Sequence, residues 1–173
     1  MAARTLAVGD RAPAFALTAT SGETIRLSAM RGQTVVLYFY PKDDTPGCTK
    51  EACSFQARQR ELEAAGAVVL GVSRDDVASH QRFAKKFSLT FPLLSDPDAS
   101  VCRAYGVYKQ KSMYGRTSWG IARTTFVIDE QGRIARIFPT VSVDGHTDEV
   151  LQALGEASSG TRPQAARNAQ GVR

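Results

Sequence analysis

Cysteine and histidine are scarce in this chain: its 173 residues carry three of the first and two of the second. Three cysteines cannot build a disulfide framework, and a small odd number suits a reducing compartment. Long apolar runs are absent. None approaches the roughly 20 residues of a membrane-spanning helix. Met1 to Asp10 carries Arg4 but no apolar core of signal-peptide length, which argues against secretion by that route. The cytoplasm is therefore the expected compartment, with no membrane partner. There is no internal repeat and no long basic run. The formal net charge is +5, of which Glu156 to Arg173, with one anion and three cations, supplies +2. The remainder is spread along the body, a balance that fits a solvated surface better than a nucleic-acid footprint.

The length suits one domain with a real core. Residues 1–12 read as an extended lead-in. Phe15–Thr20 and Glu23–Leu27 flank Ser21-Gly22 and predict a β-hairpin, with a connector over 28–32. Thr34–Tyr40 is apolar and β-rich nearly throughout, the pattern of a central strand buried on both faces; Pro41 ends it. A helix is expected from Thr45, a favourable N-cap followed by Pro46 at the first helical position, through to Ala65, with Gly66 as its stop. Ala67–Ser73 is a second buried strand, Asp75–Phe87 a helix, Phe91–Leu94 a short extended piece and Asp98–Tyr105 a short helix. Tyr108–Trp119 is polar and irregular and reads as a loop. Arg123–Asp129 and Arg133–Phe138 form a hairpin, and Asp144–Glu156 is a last helix. This order predicts an α/β chain of thioredoxin-like type: a central mixed sheet flanked by helices, with an N-terminal hairpin added. The domain is expected to span 1–157, with 158–173 a disordered tail.

The chemistry-bearing stretch is Tyr38-Phe-Tyr-Pro-Lys-Asp-Asp-Thr-Pro-Gly-Cys-Thr-Lys-Glu-Ala-Cys53. Cys48 falls in the first turn of the expected helix. Bringing a thiol from its usual pKa near 8.5 to about 6 takes roughly 3.4 kcal/mol, whereas a helix N-terminus supplies about 0.3–1, at most about 2. The charges from Lys42 to Glu51 are two cations and three anions, so activation needs a cation from elsewhere. Arg123, at the start of a core strand where arginine is unusual, is the candidate. In one regular helix, residues five apart have α-carbons about 8–9 Å apart and point about 140° apart around the axis. A disulfide needs less than about 7 Å, so a Cys48–Cys53 bond would require the first turns to unwind.

On the residues alone, the two cysteines are equally readable as small apolar fillers or as a redox pair. A metal site would have to recruit Cys102, His80 and His146, which have no paired spacing. A cysteine–histidine pair of protease type is poorly supported, because both histidines lie in polar surroundings and are expected at the surface. Asp43 and Asp44 are expected to be solvated turn residues, Cys102 a structural helix residue and Trp119 a packing or loop-anchoring residue.

Pro41-x-x-x-Thr45-x-x-Cys48 resembles the active-site motif of the peroxiredoxins, and the whole segment to Cys53 resembles their PrxQ, or bacterioferritin comigratory protein, branch. The likeness continues through Val69–Ser73, Phe91–Asp96, Tyr105–Val107 and Gly120–Asp129, covering roughly residues 5–156. The resemblance implies a thiol peroxidase without metal or organic cofactor. It assigns Cys48 as peroxidatic cysteine, Cys53 as resolving cysteine through an intramolecular disulfide, Thr45 as hydrogen-bond partner of thiolate and peroxide, and Arg123 as stabiliser of the thiolate. Pro41 would shield the pocket, and Gly47 would line the peroxide site with Pro41, Thr45 and Arg123. Hydrogen peroxide and organic hydroperoxides are the implied substrates, thioredoxin or a similar dithiol the reductant, and a monomer or weak homodimer the assembly. A thiol–disulfide oxidoreductase lacking peroxidase activity and a holdase using the basic tail are the alternatives.

Overall fold

The computed structural model describes residues 5–161. In chain order the elements are β1 (Ala16–Ala19), β2 (Thr24–Arg26), a 3-10 turn (Leu27–Met30), β3 (Thr34–Phe39), α1 (Pro46–Ala57), α2 (Gln59–Ala64), β4 (Ala67–Ser73) and α3 (Val77–Phe87). They continue with β5 (Leu93–Ser95), α4 (Ser100–Ala104), β6 (Tyr108–Met113), β7 (Arg116–Ile121), β8 (Thr124–Ile128), β9 (Ile134–Phe138) and α5 (His146–Thr161). No helix among the described residues is long and apolar enough to cross a membrane.

The main sheet has the order β2-β1-β5-β4-β3-β8-β9. β3 pairs parallel with β4 and antiparallel with β8, and the N-terminal hairpin extends the sheet through β1 against β5. The mixed, helix-flanked sheet expected from the element order is what forms. Because side chains alternate along a strand, Val35, Leu37 and Phe39 enter one core with Phe15 and with Tyr105, just after α4. Val36, Tyr38 and Tyr40 enter the other, against Cys48, Ala52 and Phe55 of α1, Phe83 of α3 and Val150 of α5. That double burial explains the continuous apolar run. It also fixes the site, since α1 starts directly beyond the carboxyl end of β3.

Three expectations are corrected. The helix from Thr45 does not run unbroken to Ala65: it breaks at Arg58, whose backbone N–H bonds back to the carbonyl of Phe55 at 3.2 Å and whose guanidinium pairs with Glu61 and with Asp148 of α5. No proline or glycine marks the break, because it is made by tertiary contacts. Gly66, in the left-handed region at φ 78°, does end α2. Tyr108–Trp119 is not a loop but most of a second, two-stranded antiparallel sheet formed by β6 and β7. Its turn is Tyr114-Gly115, both at positive φ, a geometry that suits a two-residue hairpin but that a tyrosine seldom adopts. The 28–32 connector holds the 3-10 turn. Finally, α5 spans His146–Thr161, past the Glu156 end expected for the last helix, while 162–173, most of the tail expected from 158, and 1–4 lie outside the described residues.

At Gly71 of β4 the packing against β3 and β5 leaves no room for a side chain. A β-carbon there would lie 2.9 Å from both Leu93 Cδ2 and Tyr38 Cζ. Gly71→Ala should therefore overpack the interior and lower stability by about 1–3 kcal/mol, read as a reduced urea midpoint with an unchanged m-value. An unchanged midpoint would show that the β3–β4–β5 interior has slack.

Candidate active site

The end of β3 and the start of α1 place Cys48 inside the fold, beside the Arg123–Glu51 pair. Cys48 is 1% exposed and packs with Ala52 and Phe55 on the inward face of α1. The cation expected from outside the segment arrives: Arg123 Nη2 lies 3.4 Å from Cys48 Sγ. The register explains why. β8 runs antiparallel to β3 with Thr124 opposite Phe39, so the residue before Thr124 sits at the same sheet end as the residues after Phe39. Gly47 permits the approach, since a β-carbon there would lie 3.0 Å from Arg123 Nη2.

Arg123 has a second partner that sequence reasoning did not single out. Its Nη1 donates to Glu51 Oε1 at 2.6 Å. Glu51 stands three residues after Cys48, on the same helix face, and that spacing is the signal that could have found it. Its other oxygen and the hydroxyl of Tyr38 are buried and, among the described residues, lack hydrogen-bond partners. Burial pushes the Glu51 carboxyl up, and Arg123 only partly offsets this, leaving it raised from 4.5 to about 7.

Thr45 occupies the N-cap position with extended backbone angles, but its side chain does not cap the helix. Its hydroxyl donates instead to the Lys42 carbonyl at 2.9 Å, so a hydrogen bond from that hydroxyl to the thiolate is not made in this arrangement. Pro41 terminates β3 and is exposed. Cys53 is half-buried on the same intact helix as Cys48, and both are free thiols. Cys102 lies in the core on the opposite side of the sheet, where burial, then Asp96, pushes its thiol up.

Asp43 and both histidines depart from expectation. Asp43 is buried, not solvated. It accepts from the Tyr40 hydroxyl at 2.6 Å and the Ser79 hydroxyl at 2.8 Å, and pairs with His80 Nδ1 at 2.7 Å. Its backbone N–H donates to Asp75 Oδ2 at 2.8 Å. Burial raises the Asp43 carboxyl, but these hydrogen bonds, led by that of His80, outweigh it and hold the group below its ordinary value. His80 is 0% exposed, and its Nε2 faces the Leu94 carbonyl at 3.0 Å. His146 is 1% exposed, bonded to Thr125 and Glu149 and packed edge-on against Phe55 and Phe138. Polar sequence surroundings hid both histidines because their partners come from other elements. Asp44, by contrast, is exposed and pairs with Lys86. Asp43, Asp75 and His80 form a compact group, but it contains no cysteine and its facing atoms are taken up by hydrogen bonds within the fold.

The arrangement is a buried thiol facing a guanidinium, with a second thiol five residues along. Such a guanidinium favours a thiolate and can stabilise negative charge developing on a bound oxygen. Comparison with known proteins agrees with that chemistry. Residues 8–137 match the AhpC/TSA family. The putative peroxiredoxin bcp of Coxiella burnetii is 52% identical over 147 residues, 85% of this chain and 97% of that protein. The peroxiredoxin Bcp of Escherichia coli is 45% identical over 151 residues, 87% of this chain and 97% of that protein. A structure of the Xanthomonas campestris bacterioferritin comigratory protein, studied for its alkyl peroxide reduction activity, superposes with a TM-score of 0.80 at 45% identity, covering 83% of this chain and 91% of that one.

The raised Glu51 carboxyl has a thermodynamic consequence. Between roughly pH 4.5 and 7 the native state holds a proton that the unfolded chain has released, so this group's contribution to stability falls as pH rises through that window. Glu51→Gln is neutral throughout and lacks the slope. In urea titrations, wild-type stability should drop relative to Glu51→Gln from pH 5 to 7.5; a pH-independent difference between the two proteins would refute the shift.

Proposed function

This chain belongs to the AhpC/TSA family, in its peroxiredoxin Bcp branch, and we propose that Cys48 is its peroxidatic cysteine and Cys53 its resolving cysteine. The chain is a thiol peroxidase. The observation that carries the assignment of Cys48 is the Arg123 guanidinium 3.4 Å from its sulfur, at the start of a helix.

The Cys48 thiolate attacks one peroxide oxygen. An S–O bond forms as the O–O bond breaks, and the departing oxygen takes up a proton to leave as water or an alcohol. Arg123 holds the thiolate and meets the charge developing on the oxygens. The Thr45 hydroxyl, whose hydrogen is committed to Lys42, keeps its oxygen lone pairs to accept from the peroxide O–H. Cys48 is left as a sulfenic acid. The Cys53 thiolate then attacks that sulfur: an S–S bond forms as the S–O bond breaks, and the leaving hydroxide takes up a proton to depart as water, closing the disulfide before further oxidation. The first turns of α1 open for this step, because both cysteines lie in one regular helix. A thiol donor restores the two thiols. A dithiol protein such as thioredoxin fits that role. Organic hydroperoxides join hydrogen peroxide as substrates, in line with the alkyl peroxide reduction studied in the Xanthomonas relative. The acting assembly is a monomer or weak homodimer.

Stopped-flow mixing of the reduced protein with hydrogen peroxide tests the first assignment: Cys48→Ser should abolish the fast oxidation, and an unchanged rate would remove Cys48 from the mechanism. The second assignment is tested separately. Cys53→Ser should complete one rapid oxidation, leaving a sulfenic acid that dimedone traps, but should not cycle with thioredoxin. Sustained cycling of that variant would refute the resolving role.

A further inference from the structure

Between Asp98 and Asp129 the chain carries five cations, Arg103, Lys109, Lys111, Arg116 and Arg123, and no carboxylate. They are spaced apart, so the sequence shows no basic run. The β6–β7 hairpin nevertheless gathers three of them onto one short projecting element. Among the described residues, none of Arg74, Arg103, Lys109, Lys111 and Arg116 forms an ion pair.

The same element displays aromatic surface. The Arg74 and Arg103 guanidinium carbons lie 5.1 and 5.2 Å from the centroid of the Tyr108 ring, and Arg74 donates to the Tyr108 hydroxyl at 3.0 Å. Trp119 stacks on Tyr108 at 5.6 Å yet remains 57% exposed. Tyr114, at the turn, is 97% exposed. Side-chain alternation puts Trp119 on the Tyr108 face, where Arg74 and Arg103 lie, and Lys109, Lys111 and Arg116 on the other face of the same hairpin. An exposed tryptophan held by stacking beside two cations without ion pairs has the composition of an interface anchor. The hairpin is also close to the chemistry. β7 ends at Ile121, so at most roughly 7 Å of chain separates its end from Arg123.

The reaction decides what could occupy this surface. Peroxide is small and uncharged and reacts at the buried Cys48; it has no use for an exposed cationic and aromatic platform. The donor that restores the thiols is different. Its reactive form is an anionic thiolate, and a protein donor must dock beside the Cys48 segment to deliver it.

We propose that the β6–β7 hairpin, with Arg74 and Arg103 at its base, is the docking surface for an acidic dithiol protein that reduces the enzyme. The proposal rests on the reading that Cys48 is oxidised and returned through a disulfide. In that step one donor thiolate bonds to a sulfur of the Cys48–Cys53 disulfide as the disulfide breaks. The donor's second thiol then displaces that sulfur, leaving the donor as a disulfide and the enzyme as two thiols. Unpaired cations speed encounter with an acidic partner in a salt-dependent way, and Trp119 supplies the buried anchor once the partner is seated.

The test uses the full chain, the Lys109→Glu/Arg116→Glu double variant and Trp119→Ala, each checked for native circular dichroism. Three readouts are taken: turnover with an acidic thioredoxin in an NADPH-coupled assay, turnover with dithiothreitol, and single-turnover oxidation by hydrogen peroxide. The KM for thioredoxin should rise about tenfold in each variant, a loss of about 1.4 kcal/mol. Wild-type KM should climb with added NaCl while that of the charge-reversed variant stays flat. Dithiothreitol turnover and peroxide oxidation should stay within twofold. An unchanged thioredoxin KM, equal losses with dithiothreitol, or a wild-type enzyme that cycles with dithiothreitol but not thioredoxin would each overturn the proposal. So would loss of binding to a labelled single-stranded oligonucleotide with unaltered thioredoxin kinetics. Peroxide oxidation of the wild type reports on Cys48 alone, so failure of the docking surface and failure of the peroxidatic reading are distinguishable.

Discussion

A single guanidinium holds this structure's chemistry together. Arg123 spans two groups that compete for it, the Cys48 sulfur and the Glu51 carboxyl. Burying a cation is costly unless it is paired. The sheet brings it into place by setting β8 antiparallel against β3, and the missing side chain of Gly47 leaves room for its tip. The four residues that matter are contributed by one helix start and one strand start, which become neighbours only through that register. No local property of the motif could have substituted, because its own charges sum to an anion.

The proposed cycle asks the site to be rigid for the attack on peroxide and yielding for closure of the disulfide. Upstream, Asp43 is tied to Tyr40, Ser79, His80 and Asp75, which fixes the turn to α3 and to β4's end. Downstream, Ser54 bonds Thr147 of α5 at 2.6 Å and Phe55 is buried. Between these anchors lie Asp44 at positive φ, Pro46 without an N–H, Gly47 and the exposed Lys50–Asp144 pair. A first helical turn has few intrahelical hydrogen bonds to lose. The segment that opens for the proposed Cys48–Cys53 bond is therefore bounded on both sides by firm attachments, and Cys48 leaves its place in the core as it opens.

The parts of the fold governed by local pattern were legible in the sequence. The continuous apolar run of β3, the stop at Gly66 and the β8–β9 hairpin follow from side-chain alternation and backbone preference. The motif pointed to Cys48, and the charge deficit around it pointed to a distant cation. What could not be read was tertiary pairing of polar groups. Asp43, His80 and His146 look solvated because nothing nearby in sequence shows that a tyrosine, a carbonyl or a threonine from another element will meet them. The β6–β7 hairpin was hidden for a related reason: its strands are polar, and its turn rests on a tyrosine in a conformation usually left to glycine or asparagine.

Glu51 raises a last question, since a carboxylate beside a thiol that must ionise looks counterproductive. Its raised pKa, about 7, resolves the conflict. Near neutral pH the carboxyl is largely shared between its two forms, so it orients Arg123 by hydrogen bonding without claiming the full positive charge. A carboxylate in its ordinary range would be fully ionised and would neutralise the guanidinium, whereas an apolar residue would leave Nη1 unsatisfied. Burial, the same force that makes the site costly to build, thus leaves the cation available to the sulfur and, in the proposed reaction, to the departing peroxide oxygen.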